Sequence, residues 1–309
     1  MKHTKITQWL AAMLLALSLM VTPGCQVNPA TGQSQFNVLS EREEIEIGEQ
    51  YSPEFLEEFG GPIPNERIQS YVREIGMEMA AISERPDLPW EFHTLDSGVI
   101  NAFALPGGKV FISRGLMVEF ENEAQLAAVI GHEIGHVTAQ HIGQQMSRAA
   151  ATQAGLGILG VAVAGTDWGP LLGVGAELGS GVYLLSFGRE QENEADELGM
   201  RYMSRVGYNP AAALKVMEVL RAAGGGGGIE WLSTHPAPDT RVSRVQRVLD
   251  RDYPDHDDAD EYRLGRDSYR ENVLEELRKM PAPTHGASQQ GSLGPIMRHA
   301  HAGCAACVH

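Results

Sequence analysis

The stretch Gly131-His132-Glu133-Ile134-Gly135-His136 constrains this chain more than any other. It places two histidines four residues apart, with a glutamate after the first, inside a run from Asn122 to about Gln145 that reads as helix. Leu126, Val129, Ile130, Ile134 and Val137 fall at helical spacing. Asn122 is placed to cap this helix, with Gln125 three residues on in a capping-box-like arrangement. On a helix, positions i and i+4 lie one turn apart on the same face. His132 and His136 can therefore aim both imidazoles at one metal ion, and Glu133 sits beside them. A hydrolytic zinc takes three protein ligands and keeps one position open. The helix supplies two, so the third comes from elsewhere in the chain.

A second helical pattern runs from Glu190 through Asp196 to Val206. Glu192 and Asp196 are i and i+4 and share a face, so one carboxylate can bind the metal while the other orients a ligand histidine. Glu194 is rotated about 200° from Glu192 on such a helix and is expected to matter much less. His141, five residues past His136, is expected to point about 140° away from the ligand face and to be structural. It is not the third histidine of a metzincin, because that place holds Ile142. His93 reads as a packed or surface histidine of a strand.

These motifs follow Asn101-Ala102-Phe103-Ala104-Leu105-Pro106-Gly107-Gly108 and precede Thr234-His235-Pro236 and Arg241. Together, in that order, they resemble the HtpX and CAAX-prenyl-protease family of zinc metalloendopeptidases, the gluzincins, over about Asn28 to Leu249. The resemblance implies that His132, His136 and Glu192 ligate one zinc ion per chain. It implies that Glu133 is the catalytic base, that Asp196 supports the ligands from behind, and that His235 and Arg241 line the site as catalytic residues. Spacing alone would make His235 a loop histidine before a proline. Within that family it resembles the exported bacterial lipoprotein branch, the periplasmic BepA- and LoiP-like proteases; some relatives carry a large helical-repeat domain after the protease, which is not expected here.

The first residues look like a targeting segment. Lys2 and Lys5 precede an apolar run from Trp9 to Val21, too short for a comfortable membrane span. Thr22-Pro23-Gly24-Cys25 then resembles a bacterial lipoprotein processing site. Residues 1–24 are expected to be a signal peptide, with lipidation at Cys25; the alternative is a cleaved secretory signal with an incidental cysteine. Either way the mature chain lies outside the cytoplasm. Only Cys304 and Cys307 follow Cys25, so no disulfide framework spans the core. With 24 basic against 40 acidic residues the formal charge is −16, which excludes a nucleic-acid-binding surface.

Residues 25–39 read as a turn-rich linker and 40–280 as one domain. Ser40-Glu41-Arg42-Glu43 is a capping box opening a helix to about Phe59. A second helix spans about Asn65 to Ser83, with Ile68, Val72, Ile75, Met79 and Ile82 on one stripe. Trp90–Leu95, Val99–Ala104 and Lys109–Ser113 read as strands turning at Pro106-Gly107-Gly108. In gluzincins, by the same resemblance, an edge strand of such a sheet pairs with extended substrate. Ala149–Tyr183 is apolar, broken by Asp167-Trp168-Gly169-Pro170, and is expected to be a buried helical hairpin; the alternative is a mobile cover over the cleft or a surface that touches the bilayer. Helices follow at Asn209–Val219, Asp239–Leu249 and Asp267–Lys279, with a flexible loop at Gly224–Gly228 and an acidic loop at Asp250–Asp260. Residues 281–309 read as a disordered tail.

The expected fold is thus α+β: a mainly helical, zincin-like (gluzincin) peptidase domain with one small β-sheet beside the metal helix. The expected function is zinc-dependent hydrolysis of peptide bonds in misfolded or outer-membrane proteins, in periplasmic quality control. Its partners would be polypeptide substrates, the membrane through Cys25, and the outer-membrane assembly machinery. The chain would sit in the periplasm, lipid-anchored to the outer membrane. The alternative is a periplasmic chaperone or assembly factor with a latent or structural zinc site, in which His235 fills the fourth position.

Overall fold

A computed structural model describes residues 25–153, 186–224, 235, 239–256, 261–283 and 285. Helix α1 (Glu41–Glu58) begins where its capping box predicts: Ser40 Oγ accepts from the Glu43 amide, and the Glu43 carboxylate accepts from the Ser40 amide. Helix α2 (Glu66–Ala80) is capped by Asn65 and buries Ile68, Val72, Ile75 and Met79. It ends sooner than expected, and Ile82 beyond it is exposed.

Three strands follow, β3 (Glu91–Leu95), β4 (Ala102–Leu105) and β5 (Lys109–Ser113). They are ordered β3-β5-β4, with β5 parallel to β3 and antiparallel to β4. Gly107 and Gly108 make the β4–β5 turn at φ +74° and +92°, a region closed to most side chains. Phe103 and Phe111 stack at 4.8 Å and meet Phe55 and Phe59 of the first helical layer. Strand β5 is buried along its whole length, and its end leads through the short α3 (Arg114–Met117) to the metal helix.

That helix, α4 (Glu123–Thr138), is buried from Ala124 to Thr138. Asn122 Oδ1 caps it by accepting from the Gln125 amide at 3.0 Å, while Gln125 Oε1 takes the Glu121 amide, one residue off the strict box. The helix does not run on to Gln145 as expected. Gln140 takes a left-handed φ of 57°, and a separate helix, α5 (His141–Gln153), starts there. Buried partners support the break. Arg85 Nη1 donates to the Val137 carbonyl at 3.0 Å and Arg85 Nη2 meets Glu44 Oε2 at 2.7 Å, while Gln140 Nε2 donates to Glu44.

Helices α6 (Arg189–Arg205), α7 (Ala212–Gly224) and α8 (Asp239–Asp252) close the other side. A last helical stretch runs Arg266–Tyr269, a wider π turn Arg270–Leu274, then Glu275–Lys279. Helices α4 and α6 meet backbone to backbone for a reason of composition. Gly131 and Gly135 on α4 face Gly199 and Ala195 on α6. A Cβ on Gly199 would lie 2.8 Å from His132 N, so only bare backbone fits there.

The segment expected to be a linker is a docked hairpin, β1 (Cys25–Val27) with β2 (Ser34–Phe36), a second small sheet. Gln35 exchanges amide hydrogen bonds with Gln140 and Gln144, and the Val38 amide donates to Ser147 Oγ. At the other end the His285 carbonyl accepts from the Gly98 amide, and its ring packs on Phe59. Residues 154–185, which hold most of the expected apolar hairpin, and 225–228 of the glycine run lie outside the described residues, as do 1–24 and 286–309. Among the described residues no helix is long and apolar enough to cross a membrane.

Candidate metal centre

Four side chains converge between α4, α6 and the segment before α8. One atom each of His132, His136, Glu192 and His235 lies within 4.8 Å of all the others, and all four residues are buried. The Nε2 atoms of His132 and His136 are 3.0 Å apart, as the i and i+4 placement on α4 requires. Glu192 Oε1 lies 3.5 Å from His136 Nε2 and 2.9 Å from His235 Nδ1, which is itself 3.2 Å from His132 Nε2. The gathering of Glu192 with the two histidines depends on the bare-backbone contact of Gly131 with Gly199.

The donor set fits a divalent cation. His132 Nδ1 faces Asp196 Oδ1 at 3.0 Å, so its proton sits there and its Nε2 presents a lone pair to the centre. Three buried carboxylates, Glu133, Glu192 and Asp196, stand around one buried guanidinium, Arg241, and the surplus negative charge suits a cation. Glu133 Oε1 is buried without a hydrogen bond, with His235 Nε2 3.6 Å away.

The site's electrostatics follow from the same contacts. Burial opposes charge on Glu192, but the charge of His235 and hydrogen bonds from His136 and His235 hold its carboxyl well below the usual range. Burial also opposes charge on Asp196, and Arg241 and His132 bring it below its ordinary value. Burial alone would lower His132, yet its hydrogen bond to Asp196 and the charge of Glu192 raise it. With Nδ1 on Asp196, Nε2 is the nitrogen that would hold a divalent cation, in competition with a proton. Burial pushes His136 well below the usual imidazole value, so it stays neutral and able to ligate.

Arg241 is buried beside two carboxylates of the site. Its Nε and Nη2 donate to Asp196 at 2.9 and 2.7 Å, and its Nη1 pairs with Glu192 Oε2. A guanidinium committed to two carboxylates holds them in place. His93 stays in the sheet, stacked on Phe111 and 3.0 Å from Glu91.

Two residues set aside in the sequence reading are at the site's edge. The break at Gln140 turns His141 back, so that its Nδ1 is 3.0 Å from His136 Nδ1 instead of facing away. Glu194, on the far side of α6 from Glu192, lies 3.4 Å from His141 Nε2. Phe187 stacks on His136 with ring centroids 3.9 Å apart. The sequence signal for His141 is its place five residues past His136, and only the break at Gln140 brings the two rings together.

Residues 66–249 match the model of peptidase family M48. The mitochondrial metalloendopeptidase OMA1 of Schizosaccharomyces pombe is 33% identical over 226 residues, 72% of this chain and 65% of the relative. The β-barrel assembly-enhancing protease of Escherichia coli is 28% identical over 283 residues, 85% of this chain and 58% of the relative. The mitochondrial metalloendopeptidase OMA1 of Bos taurus is 28% identical over 243 residues, 72% of this chain and 46% of the relative. The chain thus spans less than two thirds of the length of each of these relatives. The family match takes in every member of the converging donor set and more than half of the sequence, and this chain belongs to peptidase family M48.

Proposed function

We propose that the chain is a zinc-dependent metalloendopeptidase that hydrolyses peptide bonds of cell-envelope proteins, misfolded or outer-membrane ones, in periplasmic quality control. The observation that carries this reading is the gathering of His132, His136 and Glu192 around one point with Glu133 buried beside them. These three would hold one zinc ion per chain. Bound there, zinc supplies a Lewis acid for the scissile carbonyl and acidifies water to make a nucleophile. Glu133 takes the proton of the attacking water and passes it to the leaving amine. Asp196 fixes His132 with Nδ1 protonated, and Arg241 holds Asp196 and Glu192 in register. Strand β4 lies at the edge of its sheet, which supports pairing of an extended substrate there.

His235 has two candidate roles. As an oxyanion donor it would face the carbonyl oxygen through its imidazole. As a fourth ligand it would fill the open position and leave the enzyme latent. Its Nδ1 lies among the other three donor atoms, which favours the second. The likeness to a β-barrel assembly-enhancing protease supports the exported branch of the resemblance. We extend the same reading to a periplasmic location, a lipid anchor at Cys25 in the outer membrane, and contact with the outer-membrane assembly machinery.

The test is zinc content together with casein or self-cleavage, compared between wild type and Glu133→Gln. Full zinc in both proteins, with cleavage only in the wild type, supports the reading. Equal cleavage in both removes Glu133 as the base. A zinc-loaded wild type that cleaves nothing, even with His235 replaced, favours the assembly-factor alternative.

A further inference from the structure

We propose that His141 and Glu194 form a relay that fixes the ring orientation and tautomer of His136, with its outer end held by Asn28 of the N-terminal hairpin. This rests on the reading of His136 as a metal ligand. The two ligand histidines are supported differently. His132 Nδ1 meets a carboxylate directly, Asp196 at 3.0 Å. His136 Nδ1 meets another imidazole, His141 Nδ1, at 3.0 Å. Two imidazole nitrogens at that separation share one proton, so one donates and the other accepts.

Only one assignment leaves His136 Nε2 as a lone pair toward the centre. His136 Nδ1–H donates to His141 Nδ1, and His141 carries its own proton on Nε2. That Nε2 is buried, has no hydrogen-bond partner, and lies 3.4 Å from Glu194 Oε2. The opposite tautomer of His141 would set a lone pair against a carboxylate. Glu194 therefore selects the His141 tautomer that accepts from His136. Glu194 Oε1 in turn accepts from Asn28 Nδ2 at 2.7 Å.

The relay exists because α4 stops. On a continuous helix His141 would be turned about 140° from His136. The left-handed Gln140 reverses it, and Gln140 is held by Glu44 on one side and Gln35 on the other. The hairpin that starts at Cys25 thus touches the relay at Asn28, and through Gln35 it touches the Gln140 break that orients His141. His141 and Glu194 are positioning residues, because neither is in the set of converging donors.

The experiment measures zinc affinity of the purified chain by competition with a chromophoric chelator, and thermal unfolding of the zinc-free protein. Glu194→Gln and His141→Phe are expected to weaken zinc binding about 10–100-fold, as loss of a ligand's supporting partner does. The double variant is expected to be no weaker than His141→Phe alone, since both break one chain of contacts. Asn28→Ala should shift affinity in the same direction by less, and Glu190→Gln, exposed on the same helix, should bind zinc like wild type. Imidazole nitrogen NMR of the zinc form should show His136 protonated at Nδ1 in wild type, with that signature weakened in Glu194→Gln. If His141→Phe does not fold, Glu194→Gln and Asn28→Ala carry the test. Wild-type zinc affinity in a folded Glu194→Gln protein overturns the relay. Failure of the wild type itself to bind zinc overturns the metal reading, and the relay with it.

Discussion

Gly199 lies against the backbone of His132, so closely that a methyl group on it would sit 2.8 Å from the His132 nitrogen. The contact sets how near the helix bearing Glu192 comes to the helix bearing both histidines. Replacing Gly199 with alanine gains about 1 kcal/mol of helix propensity. The clash is with main chain, which cannot rotate away, and overpacking of this kind costs about 1–3 kcal/mol. The expected outcome is a lower melting temperature and weaker zinc binding together. A variant that melts and binds zinc like wild type would show that the helices have room to part.

Glu192→Ala should abolish proteolysis and empty the protein of zinc, measured by elemental analysis after gel filtration. Arg241→Ala should fail in a different way. It leaves two buried carboxylates without their cation, and breaking such a pair costs about 3–5 kcal/mol. Urea unfolding should report that loss, larger than for Glu192→Ala. Stability unchanged by Arg241→Ala would mean that the guanidinium does not hold the carboxylates.

His235→Ala separates the two roles by sign. Loss of an oxyanion donor should cut turnover about 10²–10³-fold with zinc content unchanged. Loss of a capping ligand should raise basal proteolysis, and the geometry among the four donor atoms leads us to expect the rise. Turnover and zinc measured side by side decide it, and no change in either removes His235 from the site.

Cys25→Ser should move the protein from the membrane fraction to the soluble fraction. Mass spectrometry of the mature N-terminus gives the direct answer. A lipid-modified cysteine at 25 is the expected terminus, and an unmodified terminus at another residue would end the anchor proposal.

Lys109 is buried in the central strand, and its Nζ reaches Glu91 Oε1 at 2.6 Å and the Pro89 carbonyl at 3.1 Å. Burial opposes charge on Glu91, but Lys109 brings its carboxyl below the usual value. A lowered carboxyl contributes stability that is present above its unfolded pKa, about 4.3, and is lost as pH falls through the folded value. Glu91→Gln should therefore lower the melting temperature at neutral pH, by an amount that shrinks progressively as pH falls below about 4.3. An equal effect at neutral and at low pH would mean that the pair adds no charge-dependent stability.

Several elements were legible because their determinants are local. The capping boxes and caps at Ser40, Asn65 and Asn122 start helices where side chains satisfy the first free amides. The stripe Ile68, Val72, Ile75 and Met79 buries as one face. The docked hairpin at residues 25–36 was not legible, because the contacts that hold it down, Asn28 Nδ2 on Glu194 and Gln35 on Gln140 and Gln144, reach more than a hundred residues along the chain. The helix break was not legible either. Ala139-Gln140-His141 contains neither glycine nor proline, and the left-handed turn is held by Arg85, Glu44 and Gln35.

By itself the sequence determined the pairing of His132 with His136, the place of Glu133 beside them and the shared face of Glu192 and Asp196, because helical periodicity settles which side chains within one helix look the same way. Only the tertiary structure decided which groups meet across helices. It set Glu192 on the histidines through Gly131 and Gly199, gave Arg241 to the carboxylates, and turned His141 back onto His136. Those contacts depend on helix separation and on a single backbone dihedral, and both are set by packing between distant segments, which no local pattern encodes.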